Sequence, residues 1–229
     1  MKIFNFSEFL IDNIKIPLHV VDANYKNKDF VSIDLSVKNK ALDLFDISVS
    51  NNLDSFINDF IQERKAKVAF GGYLEKRSLY KRSTYFKNES KENERNIHLG
   101  VDLWCNAFTP VFAPLDATVH SFNNNTNFGD YGPTIILKHS INNVEFYTLY
   151  GHLSTDSISN LYVGKTIKKD EKIGVLGTAD VNGDYPPHLH FQIIKDMQGF
   201  VGDYPGVCSK TDLAFYKINC PDPNILLKL

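Results

Sequence analysis

Beyond residue 97 the apolar positions fall into short runs, Val101–Leu103, Pro110–Phe112, Ala117–Phe122, Thr134–Lys138, Val144–Tyr150, Lys172–Leu176 and His188–Ile194, parted by Gly, Asn, Asp and Pro. Short runs with turn residues between them predict an antiparallel β domain. Ahead of it the pattern is mixed. Phe6–Ile14 reads as a short amphipathic opening, Leu18–Asp22 and Phe30–Ser36 as strands, and Ala41–Val49 fits neither period. One helix is clear: Leu53, Phe56, Ile57, Phe60 and Ile61 recur on one face, with Ser50 or Asn52 to cap its start and Arg64, Lys65 and Lys67 near its C-terminal end, where cations suit the dipole. Gly71-Gly72 breaks this pattern. The expected division is a small mixed α/β appendage over residues 1–70 and a mainly β domain over 71–229. Residues 73–94, rich in charge and tyrosine, read as a long surface excursion with Lys87–Glu94 as a solvated loop. Within it Arg77, Tyr80 and Arg82 are either a substrate-facing arm or part of an exposed linker.

Composition narrows the partners. A chain of 229 residues can bury a proper core without staples. Its formal net charge of −2 comes from interspersed acids and bases, so neither nucleic acid nor an anionic membrane is an expected partner. Cys105, Cys208 and Cys220 lie far apart with no Cys-x-x-Cys spacing, which argues against a thiolate zinc site and a disulfide framework. The first residues carry Glu8 and Asp12 inside their most apolar stretch, unlike a signal peptide, and the expected location is cytoplasmic.

The candidate chemistry starts from Pro186-Pro187-His188-Leu189-His190-Phe191-Gln192-Ile193. On a strand, His188 and His190 share one face about 6–7 Å apart, while Leu189, Phe191 and Ile193 supply the core-facing row. Upstream, His98-Leu99-Gly100-Val101-Asp102 offers a second pair, which a straight strand would hold about 13 Å apart. Gly100 is where a kink would close that distance. His98, Asp102 and one of His188 and His190 would then form a site of two histidines and one carboxylate with a position left for water, as in catalytic zinc sites. His152 follows a strand-like run and Gly151, placing it at a strand end facing a cleft. His19, His120 and His139 belong to no such constellation and read as structural or surface residues.

Taken in order, His98-x3-Asp102, Gly-Asp-Tyr-Gly at 129–132, Tyr-Gly-His-Leu at 150–153, Gly164, Ile173-Gly174 with Gly177, and His188-Leu189-His190-Phe191 resemble the lysostaphin-type (LytM-type) zinc metallopeptidases that cut peptidoglycan cross-bridges. The resemblance spans roughly Gly71 to Leu229. It implies a largely antiparallel sheet with a groove along it, of the duplicated hybrid motif kind. It also implies one Zn2+ per chain on His98, Asp102 and His190, with His152 and His188 flanking the bound water and the scissile carbonyl. Tyr131 and Tyr185, beside these motifs, join Arg77, Tyr80 and Arg82 as expected substrate contacts. The chain departs from the family at Asn182–Pro187, where a small Ser-Thr-Gly-type turn is common, at Pro133, where asparagine is common, and at Gln192, where an acid is frequent; the loop Gly202-Asp203-Tyr204-Pro205-Gly206 looks like a local elaboration. The implied activity is hydrolysis of peptidoglycan or a similar glycine- or D-amino-acid-containing peptide. Two readings compete: a catalytically silent relative that binds a peptide or partner protein, and a zinc amidase or carboxypeptidase in which Arg77 or Arg82 would clamp a terminal carboxylate.

Overall fold

The computed structural model describes residues 4–22, 24–86 and 92–229. Its strands are β1 (Phe30–Ser32), β2 (Val68–Gly71), β3 (Ile97–His98), β4 (Val101–Trp104), β5 (Pro110–Phe112), β6 (Ala117–Asn125), β7 (Gly132–Ile141), β8 (Val144–Gly151), β9 (Thr166–Ile167), β10 (Lys172–Val175), β11 (His188–Ile194) and β12 (Val207–Cys208). Eight of them form one sheet in the order β1-β2-β4-β11-β8-β7-β6-β9, antiparallel except for the parallel β1–β2 pair. β5 pairs with β10 and β3 with β12 in two small ribbons. The protein is mainly β and dominated by antiparallel pairing, and each run that the apolar pattern marked after residue 97 falls on a strand.

The sheet sorts its faces by alternation. From β11, Leu189, Phe191 and Ile193 enter the large core together with Val101 and Leu103 of β4, Ile135 and Leu137 of β7 and Phe146 and Tyr150 of β8. Helix α1 (Phe6–Asn13) and the following Leu18, Val20 and Val21 close the same core. Helix α2 (Ser50–Glu63) buries Leu53, Ile57 and Ile61 in a second cluster with Ala69 and Trp104 on the other side of β2 and β4. Each such aliphatic side chain contributes about 2 kcal/mol through removal from water. The segment before residue 71 and the one after it therefore share a sheet and a core, and Gly71 is the last residue of a strand paired with β4.

Several local expectations change. The N-cap of α2 is Val49, without a side-chain bond; Ser50 sits in the first turn and donates to Asp184 O at 2.5 Å, while Asn52 donates to Asp46 O at 3.1 Å. Arg64 does serve the other end, donating to Phe60 O at 3.2 Å. Part of Ala41–Val49 settles as a 3-10 turn, Lys40–Leu44. The surface excursion is not one over Leu79–Phe86. Leu79, Tyr80 and Phe86 are buried, and Tyr80 and Phe86 pack on Val207. The apolar residues spaced through that charged run outweigh its charges because a buried partner waits for them. Residues 87–91 of the expected solvated loop lie outside the described residues. Among those described, no helix is long and apolar enough to cross a membrane.

Candidate metal centre

Adjacent strands deliver the central side chains. β4 alternates Val101 and Leu103 into the core with Asp102 and Trp104 onto the opposite face, and its antiparallel register with β11 sets His190 opposite Asp102 and His188 opposite Trp104. His98 arrives because the chain leaves β3 at His98, turns through Leu99-Gly100 and re-enters as β4. A Cβ on Gly100 would stand 2.5 Å from His190 Cε1 and 2.8 Å from Phe191 O, so only glycine permits that turn beside that ring. His152 follows β8 with a left-handed backbone (φ 63°), fixed by its N–H on Tyr131 O and its C=O on Gly177 N at 2.8 and 2.9 Å.

One nitrogen or oxygen from each of His98, Asp102 and His190 lies within 4.8 Å of the others. His98 Nε2 is 3.2 Å from Asp102 Oδ1 and 2.8 Å from His190 Nδ1, which is itself 3.2 Å from Asp102 Oδ1. All three residues are 1–2 % exposed. Their outer partners fix the tautomers. His98 Nδ1 faces Gly72 O at 3.0 Å, a pure acceptor, and must carry the proton. Gln192 turns its amide Nε2 to Pro205 O at 3.2 Å, which leaves Oε1 to accept from His190 Nε2 at 3.0 Å. In the neutral rings, His98 Nε2 and His190 Nδ1 are then bare lone pairs, meeting each other and a carboxylate oxygen with no proton to share. Such a set suits a cation, and two imidazoles with one carboxylate suit zinc. Burial pushes His98 down to about 4, which keeps its ring in the neutral, ligating form at neutral pH. Burial opposes ionisation of Asp102, but positive charge around it, on the facing imidazoles when they are protonated and on the Arg77 guanidinium at all times, outweighs burial and holds the carboxyl well below the usual range.

His152 and His188 stand beside this cluster. Their rings are 4.2 Å apart, and His188 Nε2 is 3.9 Å from Asp102 Oδ1. His152 Nδ1 donates to Asn182 O and His188 Nδ1 to Pro186 O, both at 2.8 Å, leaving each Nε2 as an acceptor. The unusual Asn182–Pro187 turn thus orients both rings. Burial pushes His188 to about 4 and His152 well below its ordinary value. Trp104 stacks on His188 at 3.9 Å with 23° between planes, and its buried Nε1 has no hydrogen-bond partner among the described residues. Trp104 was not among the residues singled out from the sequence, although a residue two beyond Asp102 on a strand shares its face.

The expected substrate contacts fall differently. Arg77, Tyr80, Tyr131 and Tyr185 line the same cavity, of about 480 Å³ including its mouth, but each is engaged with protein. Arg77 bonds Asp102 and Glu75. Tyr80 lies against Phe86 and His98. Tyr131 donates to Tyr204 O at 3.2 Å, with its oxygen 3.4 Å from His190 Nε2. Tyr185 donates to Gly129 O at 3.0 Å. Arg82 does not line that cavity: its guanidinium bonds Ser48 O, Ser50 Oγ, Gly183 O and Asp184 and lies over the Tyr185 ring at 4.3 Å. Neither arginine is free to clamp a terminal carboxylate.

The comparisons agree with these motifs and this site: residues 96–200 match the model of peptidase family M23, the likeness that the resemblance read from the sequence implied. A protein of Haemophilus influenzae (strain ATCC 51907 / DSM 11121 / KW20 / Rd), named an uncharacterized metalloprotease, is 35 % identical over 95 residues, which are 42 % of this chain and 18 % of that protein. The chain thus spans under a fifth of that relative's length. Among solved structures, the catalytic domain of the antimicrobial peptidase lysostaphin from Staphylococcus simulans is 27 % identical, covering 53 % of this chain and 80 % of its own at a TM-score of 0.37. A zinc-containing peptidase from Vibrio cholerae is 26 % identical, with 47 % and 30 % covered and a TM-score of 0.35.

Proposed function

We propose that this protein is a zinc-dependent metalloendopeptidase that hydrolyses peptide bonds of peptidoglycan or a similar glycine- or D-amino-acid-containing peptide. The observation that carries the reading is the meeting of His98 Nε2, His190 Nδ1 and Asp102 Oδ1 within 3.2 Å of one another in a buried site, with the outer nitrogen of each ring turned to an acceptor of its own. His98, Asp102 and His190 would hold the ion, which supplies when bound a water ionisable near neutral pH and a Lewis acid for the substrate carbonyl. His152 and His188 are neutral and each presents an unprotonated Nε2. One of them takes the proton from the attacking water. Once protonated, its Nε2–H donates to the developing oxyanion or passes the proton to the leaving amine. Trp104 and the Pro186 and Asn182 carbonyls keep the two rings in place for that exchange.

The match of residues 96–200 to a peptidase family model supports the reaction class, and the motifs that resemble that family support the substrate class. The carboxypeptidase alternative loses its support with the engagement of Arg77 and Arg82 inside the protein. The test is metal content by plasma mass spectrometry for wild type and His190→Ala, with hydrolysis of muropeptides and a pentaglycine peptide followed on both. One zinc per chain in the wild type, absent from the variant together with cleavage, is the expected result. Zinc without turnover on any peptide would defeat the peptidase reading and leave a binding protein.

A further inference from the structure

Arg77 lies ahead of the family-matched segment 96–200, yet it reaches the centre of the site. We propose that it is a positioning residue of the metal centre: its guanidinium occupies Asp102 Oδ2, so that the carboxylate offers Oδ1 alone to the ion. This rests on the reading of His98, Asp102 and His190 as metal ligands.

The two carboxylate oxygens of Asp102 have different neighbours. Oδ2 takes Arg77 Nη1 at 2.5 Å, while Oδ1 faces His98 Nε2 and His190 Nδ1 at 3.2 Å each. The guanidinium is itself aimed from behind, because Arg77 Nε donates to Glu75 Oε2 at 2.9 Å. A planar fork held at two points cannot swing, which a lysine in its place would not achieve. The backbone around it is laced to β3: Arg77 N donates to Asn96 O, His98 N to Glu75 O and Leu74 N to His98 O, each at 2.9 Å. Gly72 makes the approach possible. At φ 108° it turns its carbonyl to His98 Nδ1, and a Cβ there would stand 2.2 Å from Arg77 Nη2 and 2.8 Å from His98 Nδ1. One turn, 72–77, therefore seats a proposed ligand ring and the cation that orients a second ligand.

A buried ion pair alone would be weak grounds, since such pairs also serve folding only. The particular placement is what separates the two roles. A carboxylate with both oxygens free can chelate an ion through both, whereas the guanidinium held on Oδ2 disfavours that mode at Asp102. The added positive charge also opposes transfer of electron density from the carboxylate to the ion, which suits an ion that must polarise a carbonyl.

The 229-residue chain loaded with one equivalent of Co2+ tests this, because cobalt's visible absorption reports coordination number without any turnover. Wild type, Arg77→Met and Arg77→Lys are compared, with melting temperature and steady-state kinetics alongside. In Arg77→Met the visible bands weaken about two-fold as Asp102 becomes bidentate, and kcat falls about 10–100-fold with KM nearly unchanged. Arg77→Lys keeps the charge but not the fork and lies between. If Arg77→Met does not fold, the lysine variant carries the test, with weakened bands and a kcat about three- to ten-fold down expected. A cobalt spectrum and kcat identical to wild type in the folded variant, with only the melting temperature lowered, would overturn the proposal and leave a structural ion pair. A wild type that takes up neither zinc nor cobalt would defeat the metal centre itself, and this proposal with it.

Discussion

His139 and His98 are buried to almost the same degree, at 1 % and 2 % exposure, and burial pushes both down to about 4. Their second nitrogens differ. His139 sits between Asp116 O at 3.0 Å and Thr148 Oγ1 at 2.7 Å and stacks on Phe146, so both ring nitrogens have partners that need nothing further. His98 has one nitrogen on a carbonyl and the other turned towards a second imidazole and a carboxylate. Neither burial nor a depressed pKa marks a site here. The mark is an acceptor that nothing among the described residues satisfies.

The largest expected effect comes from removing the charge at the meeting point. Asp102→Asn leaves the imidazoles facing an amide, and the protein should lose its zinc on dialysis and its peptide cleavage by at least about 10²–10³-fold. His139→Gln, treated identically and measured by the same plasma mass spectrometry, should keep one zinc per chain. Loss of zinc from both would erase the distinction between the two kinds of buried histidine.

Next in size is Gly100→Ala. The new methyl would stand 2.5 Å from His190 Cε1 and 2.7 Å from its Nε2, so the ring or the strand carrying it must move. Zinc affinity should fall about 10–100-fold in competition with a chromophoric chelator, with a stability cost of about 1–3 kcal/mol. An affinity unchanged within error would mean that His190 is not held at the ion by that close approach. A smaller effect is expected for Gln192→Leu, which removes the acceptor of His190 Nε2–H and frees the ring to turn. Affinity should fall about ten-fold, while the fold, whose core row on β11 is Leu189, Phe191 and Ile193, remains intact by circular dichroism.

Much of this was legible in the residues. Alternation in His188–Ile193 separates the core row from the polar row, the sheet keeps that separation, and Gly100 is where the chain turns to bring His98 to Asp102. Gln192 stood out as an amide where an acid is frequent, and the structure supplies a physical ground: its Nε2 donates to Pro205 O, where a carboxylate would set oxygen against oxygen. Residues 73–86 were not legible. Arg77, Tyr80 and Arg82 stand in a run dense with charge, and nothing local distinguishes a solvated arm from one folded over a cavity. The difference is made by partners far along the chain: Asp102 for Arg77, Val207 for Tyr80, and Asp184 for Arg82. Trp104 was missed for a related reason, since its role depends on which residue of β11 comes to lie opposite it.

The smallest effect tests the other half of the comparison. If His139 is only a satisfied core histidine, its contribution is to stability and runs with pH in a fixed direction. Burial outweighs the bond to Asp116 O and depresses the folded-state value to about 4, against 6.5 in the unfolded chain. Between those values the unfolded state binds the proton and the folded state does not, so stability is full above about pH 6.5 and falls as pH drops towards 4. At pH 5 the loss from this residue alone is about 2 kcal/mol relative to pH 7. The proposed ligand and catalytic histidines are buried as well, so the total slope is not assignable to one ring. The comparison must be between wild type and His139→Gln, by urea unfolding at pH 7 and pH 5. The variant should lose about 2 kcal/mol less than wild type over that interval while keeping its zinc at pH 7. Equal losses would show that His139 takes up its proton in the folded state, and burial would then have failed to separate even a structural histidine from an exposed one.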